Sequence, residues 1–255
     1  MNVRLVDHMG SDSAIVQAAR VSYGPGTKSV SDDRALVRYL MRHKHTTPFE
    51  MVEFKFHIRC PIFVARQWLR HRTASVNEIS GRYSILDESY FLPEHLRFQS
   101  TTRGQGSAGE FPEGTDDLLI LKQKASCDLA FHTYEELLRK GCARELARCH
   151  LPLSTMTEFY WKINLHNLLH FLKLRMDDHA QKEIQDLAVQ MYDLIRPIVP
   201  VTCEAFEDFV RGSVTFSRIE LEALKGHVIG APKIPGKGEN QEFQEKIKIL
   251  FTSKE

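Results

Sequence analysis

Three absences bound the chain before any motif is read. No stretch approaches the roughly 20 consecutive apolar residues of a membrane span, so no membrane partner is expected. No CxxC pair occurs among the five cysteines, Cys60, Cys127, Cys142, Cys149 and Cys203. Scattered and odd in number, they read as the reduced thiols of a cytoplasmic protein, which disfavours a disulfide or zinc framework. An excess of one charge is also missing. Lys and Arg number 34 against 33 Asp and Glu, leaving a formal +1, so no global attraction to nucleic acid or anionic lipid is expected. Residues 1–7 alternate and carry charge, unlike a secretory leader, and no internal repeat is visible.

What remains is ordinary globular composition, 42% hydrophobic and 26% charged over 255 residues, enough to bury a proper core. The pattern predicts an α+β fold, a small mixed or antiparallel sheet packed with long helices. The sheet is expected in the first half and the longer helices in the second. Residues 1–215 read as a single domain. Residues 216–255 read as a C-terminal extension, partly disordered or peripheral, because Gly, Pro and Lys punctuate the tail from Gly226.

The best strand signal runs from Met51 to Arg59, where Val52, Phe54, Phe56 and Ile58 alternate with Glu53, Lys55, His57 and Arg59. Residues 2–7 read as a further short strand. Helices are predicted over 12–20, from Ser31 to His43, and from Pro61 onward. In the last of these, Ile62, Ala65 and Leu69 share one face, and Arg66 and Arg70 another. Gly24-Pro25-Gly26 reads as a turn, 82–86 and 90–92 as extended chain, and 99–114 as a mobile Gly/Ser-rich loop. Thr115 is expected to cap a helix that runs to about Lys140 and ends at Gly141. One or two helical turns over 144–151, and helices over 164–175, 178–195 and 202–211, complete the reading.

One stretch resists a purely structural account. Residues 70–82, RHRTASVNEISGR, hold Arg70, His71, Arg72 and Arg82 around the single acid Glu78. Arg70-His71-Arg72 can be the cationic last turn of the preceding helix. That leaves Ser75, Asn77, Glu78, Ser80 and Arg82 unexplained. With Arg66 included, the arginines exceed the acid by three charges. Arginine matches phosphate bidentately, so a small anionic ligand such as a phosphate ester is the natural complement.

Those residues fit RHR-x-x-S-x-N-E-x-S-x-R at every fixed position, and the stretch resembles the signature of the flavin-dependent thymidylate synthases. HTTPFE (45–50), PIFVARQW (61–68), ARELAR (143–148) with LPL (151–153), and LRMDDHAQKEIQ (174–185) resemble further blocks of that family in the expected order. The resemblance covers roughly residues 1–215. It implies a single catalytic domain there and an α+β homotetramer with sites shared between subunits. It also implies that dUMP becomes dTMP, with methylenetetrahydrofolate as carbon donor and NADPH as reductant through FAD.

Carried over residue by residue, the resemblance places Gln67, Arg70, Glu78, Ile79, Ser80, Gly81, Arg82 and Arg148 at dUMP. It places His45, Thr47, Arg70, His71, Arg72, Glu78, Asn164, His166, His170 and His179 at FAD. Arg175 matches the arginine at the uracil ring, where a cation would stabilise an N3 anion and raise the nucleophilicity of C5. Uracil C5 is otherwise a poor nucleophile. Other thymidylate synthases activate it by adding a cysteine to C6, yet no cysteine here occupies a matched position with a basic partner. A fixed positive charge is the alternative. Ser80 lacks a His-Asp relay and reads as a hydrogen-bonding group. The common family residues are replaced at His166 and His170, and Asn164 reads equally as a helix N-cap or as cap plus flavin contact.

Two other classes were weighed. His166 and His170 lie four apart and, with His179 or Glu183, sketch a metal site, but Asn167 stands where HExxH needs Glu; no metal is expected. His43 and His45 sketch a second pair. Arg66, Arg70, Arg72 and Arg82 with Tyr83, Tyr90 and Phe91 sketch a nucleic-acid grip, against which the net charge argues. An inactive family member is disfavoured by the intact motif.

Overall fold

The computed structural model describes residues 1–21, 33–101, 106–224 and 237–251. In chain order its strands are β1 (Asn2–Met9), β2 (Glu53–Pro61), β3 (Ser75–Glu78), β4 (Arg97–Gln99), β5 (Ser107–Glu110) and β6 (Met156–Asn164). Its helices are α1 (Asp12–Val21), α2 (Asp33–Arg42), α3 (Ile62–Trp68), α4 (Asp117–Arg139), α5 (Arg144–Ala147), α6 (Leu165–Arg175), α7 (Lys182–Ile195), α8 (Pro200–Phe206), α9 (Arg218–Leu224) and α10 (Lys237–Phe251). Short 3-10 turns span Thr47–Met51 and Arg148–His150, and a π-helical turn, Glu207–Arg211, follows α8. The chain falls into two compact units, Met1–Arg211 and Gly212–Glu255. In the second, Ser217 and Glu220 cap α9 reciprocally, side chain to backbone N–H in each direction.

The main sheet has the order β1-β2-β6-β3, antiparallel throughout. The alternation read in β2 is what its burial shows: Phe54, Phe56, Ile58 and Cys60 are inward. β6 alternates in the same way, with Thr157, Phe159, Trp161 and Ile163 inward. Phe56 faces Trp161 across the two strands. On the opposite face Lys162 lies diagonally across from Glu53 at 3.0 Å, and His57 Nε2 lies 3.4 Å from Glu158. Residues from α1, α2, α3, α6, α7 and α8 close the inner face into one core. At its centre the Trp68 ring lies 4.6 Å from Phe171 and 5.4 Å from Trp161. A smaller cluster, Phe131, Tyr134 and Ala147, ties α4 to α5.

Several expectations are corrected. The sheet is not confined to the first half, because β6 supplies one of its two central strands. The buried face of α3 is Val64, Ala65 and Trp68, while Leu69 is exposed and Arg70 lies beyond the helix end. Residues 47–51 are a 3-10 turn, so β2 begins at Glu53. Residues 81–83 form a turn rather than extended chain, and Tyr90 makes only an isolated bridge to Thr155. The stretch 99–114 contributes β5, which pairs with β4. Asp116, not Thr115, is the N-cap residue of α4; the Thr115 hydroxyl donates to the Pro112 carbonyl. Helix α7 begins four residues later than the pattern predicts, and α8 starts at Pro200. The Gly24-Pro25-Gly26 turn and the helix start at Ser31 lie outside the described residues.

Candidate active site

Pro61 leaves β2 extended, and α3 starts directly after it. Seven residues later the helix stops at Trp68, and the His71 backbone N–H donates to the Trp68 carbonyl at 3.0 Å. This tight exit aims the RHR segment along the C-terminal end of α6. Arg175, the last residue of α6, donates its Nε–H to His71 Nε2 at 3.1 Å. Its Nη2 reaches the Gln67 carbonyl at 3.5 Å. The Gln67 side chain donates to Gln181, the N-cap residue of α7. The His71 ring meets Phe171 edge-on at 4.9 Å and His170 at 6.1 Å. Gln67, His71, His170 and Arg175, dispersed in sequence, are therefore one cluster.

A second cluster forms where β3 runs along β6. The Thr157 hydroxyl donates to the Glu78 carboxylate at 2.5 Å, and the Ile79 N–H donates to the Glu158 carbonyl at 3.0 Å. The Ser80 carbonyl accepts from Tyr83 and Ser84, and its hydroxyl accepts from the Arg82 N–H at 3.3 Å. Among the described residues no histidine is bonded to that hydroxyl. A Cβ at Gly81 would sit 3.0 Å from Leu86 Cδ1 and 3.1 Å from Arg148 Cδ, so the bare α-carbon lets the Arg148 stem pack onto this segment. Arg82 pairs with Glu145 at 3.4 Å, both exposed.

Glu78 is thus held by a hydroxyl, not by the arginines around it in sequence. The side chains of Arg66, Arg70, Arg72 and Arg148 have no hydrogen-bond or ion-pair partner among the described residues. Four guanidinium groups with open donors fit the phosphates of a nucleotide and of a dinucleotide cofactor such as FAD.

The remaining residues lie at the opposite end of α6. The Asn164 side-chain Oδ1 accepts from the Asn167 N–H and Nδ2, each at 3.0 Å, a true N-cap. His166 sits in the first turn of α6. The Leu165 N–H donates to the Val52 carbonyl at 2.8 Å, which brings this end beside the 3-10 turn that Thr47 opens. His45 precedes that turn, its ring 5.8 Å from Tyr39 and 6.2 Å from His43. His179 stands apart from these clusters, its Nδ1 2.6 Å from Asp177. Among the described residues no three His, Cys, Asp or Glu side chains converge as a metal site would require.

Burial first, then the charges of Arg175 and His170, holds the His71 pKa down to about 4. Burial also lowers Arg175 from the ordinary guanidinium value; the group stays a cation at neutral pH. Cys60 pairs with Thr157 across β2 and β6. Burial, then the Glu78 charge, pushes its thiol up to about 12, so it is no nucleophile near neutrality.

Thr157, Gln181 and Glu145 were missed in sequence. Thr157 had a signal: it belongs to the alternation Thr157, Phe159, Trp161, Ile163. Gln181 and Glu145 lie inside the blocks 174–185 and 143–148, but nothing in the sequence marks their partners, Gln67 and Arg82, each more than sixty positions away in the chain.

A family profile described as thymidylate synthase complementing protein matches residues 4–201. A flavin-dependent thymidylate synthase of Dictyostelium discoideum is 53% identical over 245 residues, 94% of this chain and 79% of that protein. One of Treponema denticola is 50% identical over 250 residues, 96% of this chain and 94% of that protein. Among solved structures, the UMP/dUMP methylase PolB from Streptomyces cacaoi, bound with 5-Br dUMP, aligns with a TM-score of 0.75. It shares 37% identity and covers 82% of this chain and 96% of that one. Motif, fold and relatives converge on one conclusion: the chain belongs to the family of the flavin-dependent thymidylate synthases.

Proposed function

We propose that this chain converts dUMP to dTMP, with methylenetetrahydrofolate as carbon donor and NADPH as reductant through FAD. The observation that carries the reading is the set of arginines, Arg66, Arg70, Arg72 and Arg148, whose side chains have no partner among the described residues, the last of them packed against the 78–81 segment at Gly81. Bound FAD would supply the redox chemistry, which side chains alone cannot. The protein's own residues bind, orient and polarise. Arg70, Arg82 and Arg148 take the nucleotide phosphate; Gln67 and the 78–81 segment, including Ile79 and Ser80, position the sugar and base. His45, Thr47, His71, Arg72, Asn164, His166, His170 and His179 border the flavin. Arg175 stands at the pyrimidine and stabilises negative charge at N3 as C5 attacks. Cys60, held as a thiol, takes no part.

The test is dUMP-dependent NADPH oxidation by the flavin-loaded protein with methylenetetrahydrofolate, with dTMP measured directly. Formation of dTMP in proportion to NADPH consumed is the expected result; bound flavin with no dTMP would refute the reading.

The same reading makes the enzyme a homotetramer in the cytoplasm, each site completed by a neighbouring subunit. The unpartnered arginines support shared sites. So does α4, where Leu118, Leu121 and Leu129 recur on one face and are exposed in the single chain. Sedimentation should give a tetramer; a fully active monomer would rule out shared sites.

A further inference from the structure

We infer that His71 is the positioning residue for Arg175: its unprotonated Nε2 receives the Arg175 Nε–H and fixes the guanidinium, while its own proton resides on Nδ1. The inference rests on the assignment of Arg175 to the pyrimidine.

A guanidinium carries five N–H donors and no acceptor, on a stem with several free torsions. Its direction is set only by the acceptors that surround it. The described residues provide two. His71 Nε2 lies 3.1 Å from Arg175 Nε, and the Gln67 carbonyl lies 3.5 Å from Nη2. An N–H can donate to an imidazole nitrogen only if that nitrogen has no proton. The contact therefore dictates a neutral ring protonated at Nδ1.

The acceptors are themselves held. Phe171 fixes the imidazole edge-on at 4.9 Å, and Trp68 anchors the His71 backbone at 3.0 Å. Gln181 holds the Gln67 side chain. The Nη1 group of Arg175 has no partner among the described residues, which leaves it for a ligand. This is the arrangement a charge needs if it must meet developing negative charge without reorganising.

The charged or titratable groups that face His71 are Arg175 and His170, both on α6. Each disfavours a protonated imidazole, and burial disfavours it more than either. Protonation would turn the acceptor into a donor directed at a cation and release the guanidinium. The unfolded chain takes up this proton near the ordinary value of 6.5, the folded chain only near about 4. The neutral ring's contribution to stability is therefore complete above 6.5 and is lost as pH falls toward 4.

The test uses the flavin-loaded enzyme labelled with 15N-histidine. His71 is assigned by the resonance lost in His71→Gln. At pH 7 the neutral Nδ1–H tautomer is expected, and Arg175→Gln should raise the His71 titration midpoint by about one pH unit. His71→Leu should lower kcat about 10- to 100-fold with little change in KM for dUMP. His71→Gln, which keeps an acceptor at comparable reach, should restore most of that loss. A protonated or Nε2–H imidazole at pH 7, a midpoint indifferent to Arg175, or equal losses in the two His71 variants would each overturn the inference. The NMR readings do not depend on turnover. A chain that shows the tautomer and the coupling but makes no dTMP refutes the function and leaves the pair intact.

Discussion

Arg175→Ala should cut dTMP formation by about 10²- to 10³-fold or more while most of the flavin remains bound. The size follows from what the charge is asked to do. Uracil C5 attacks an electrophilic carbon, and no thiol is placed to activate it; Cys60 is held well above neutrality by burial. The remaining means is to stabilise the anion that forms at the ring, and Arg175 carries that charge. It sits at the end of a helix, half-buried, clamped by His71 and Gln67. Partial burial strengthens its field, since fewer waters screen it. Flavin retention should survive because Arg175 is assigned to the pyrimidine and not to the cofactor, and the contacts at Thr47 and Asn164 lie at the far end of α6. The measurements are initial-rate dTMP formation and flavin absorbance per chain after gel filtration. Wild-type turnover in the variant would remove Arg175 from the chemistry.

Trp68→Ala should lower folding stability by about 3–5 kcal/mol, read as a shift of the urea midpoint at unchanged slope. Trp68 is fully buried and packs on Phe159, Trp161 and Phe171. Removing it leaves a cavity between α3, α6 and the sheet that rigid aromatic neighbours cannot collapse into. Its Nε1–H has no hydrogen-bond partner among the described residues, so Trp68→Phe removes an unsatisfied donor as well as volume and should cost much less than alanine. A loss below about 1 kcal/mol in Trp68→Ala, the size of ordinary surface changes, would mean this aromatic centre is not the structural keystone described.

The β2 strand, the α3 start at Pro61 and the α6 and α7 helices were legible because each is written in local periodicity. Strand β6 was not read, although Thr157, Phe159, Trp161 and Ile163 alternate as cleanly as β2 does. It runs into α6 through Asn164 with no Gly or Pro between them, so nothing punctuates the change of period. Its partner is also about a hundred residues earlier in the chain. The site divides similarly. Residues 70–82 announce their chemistry by composition, and the family motif assigns the rest. The bond between His71 and Arg175 joins residues 104 positions apart, and only the packing of α3 against the end of α6 creates it. The bond from Thr157 to Glu78 is likewise between residues distant in sequence, brought together by the pairing of β3 with β6.

The pairing of β2 with β6 has a consequence during synthesis. When β2 leaves the ribosome, β1 can join it at once, but its other edge has no partner until residue 164 emerges. At roughly 5–20 residues per second that interval is about 5–20 s. Throughout it, a hairpin with Phe54, Phe56 and Ile58 on one face and an open ladder on its flank is presented to neighbouring nascent chains. Translational stalling before residue 156 would prolong that state and its exposure to neighbouring chains.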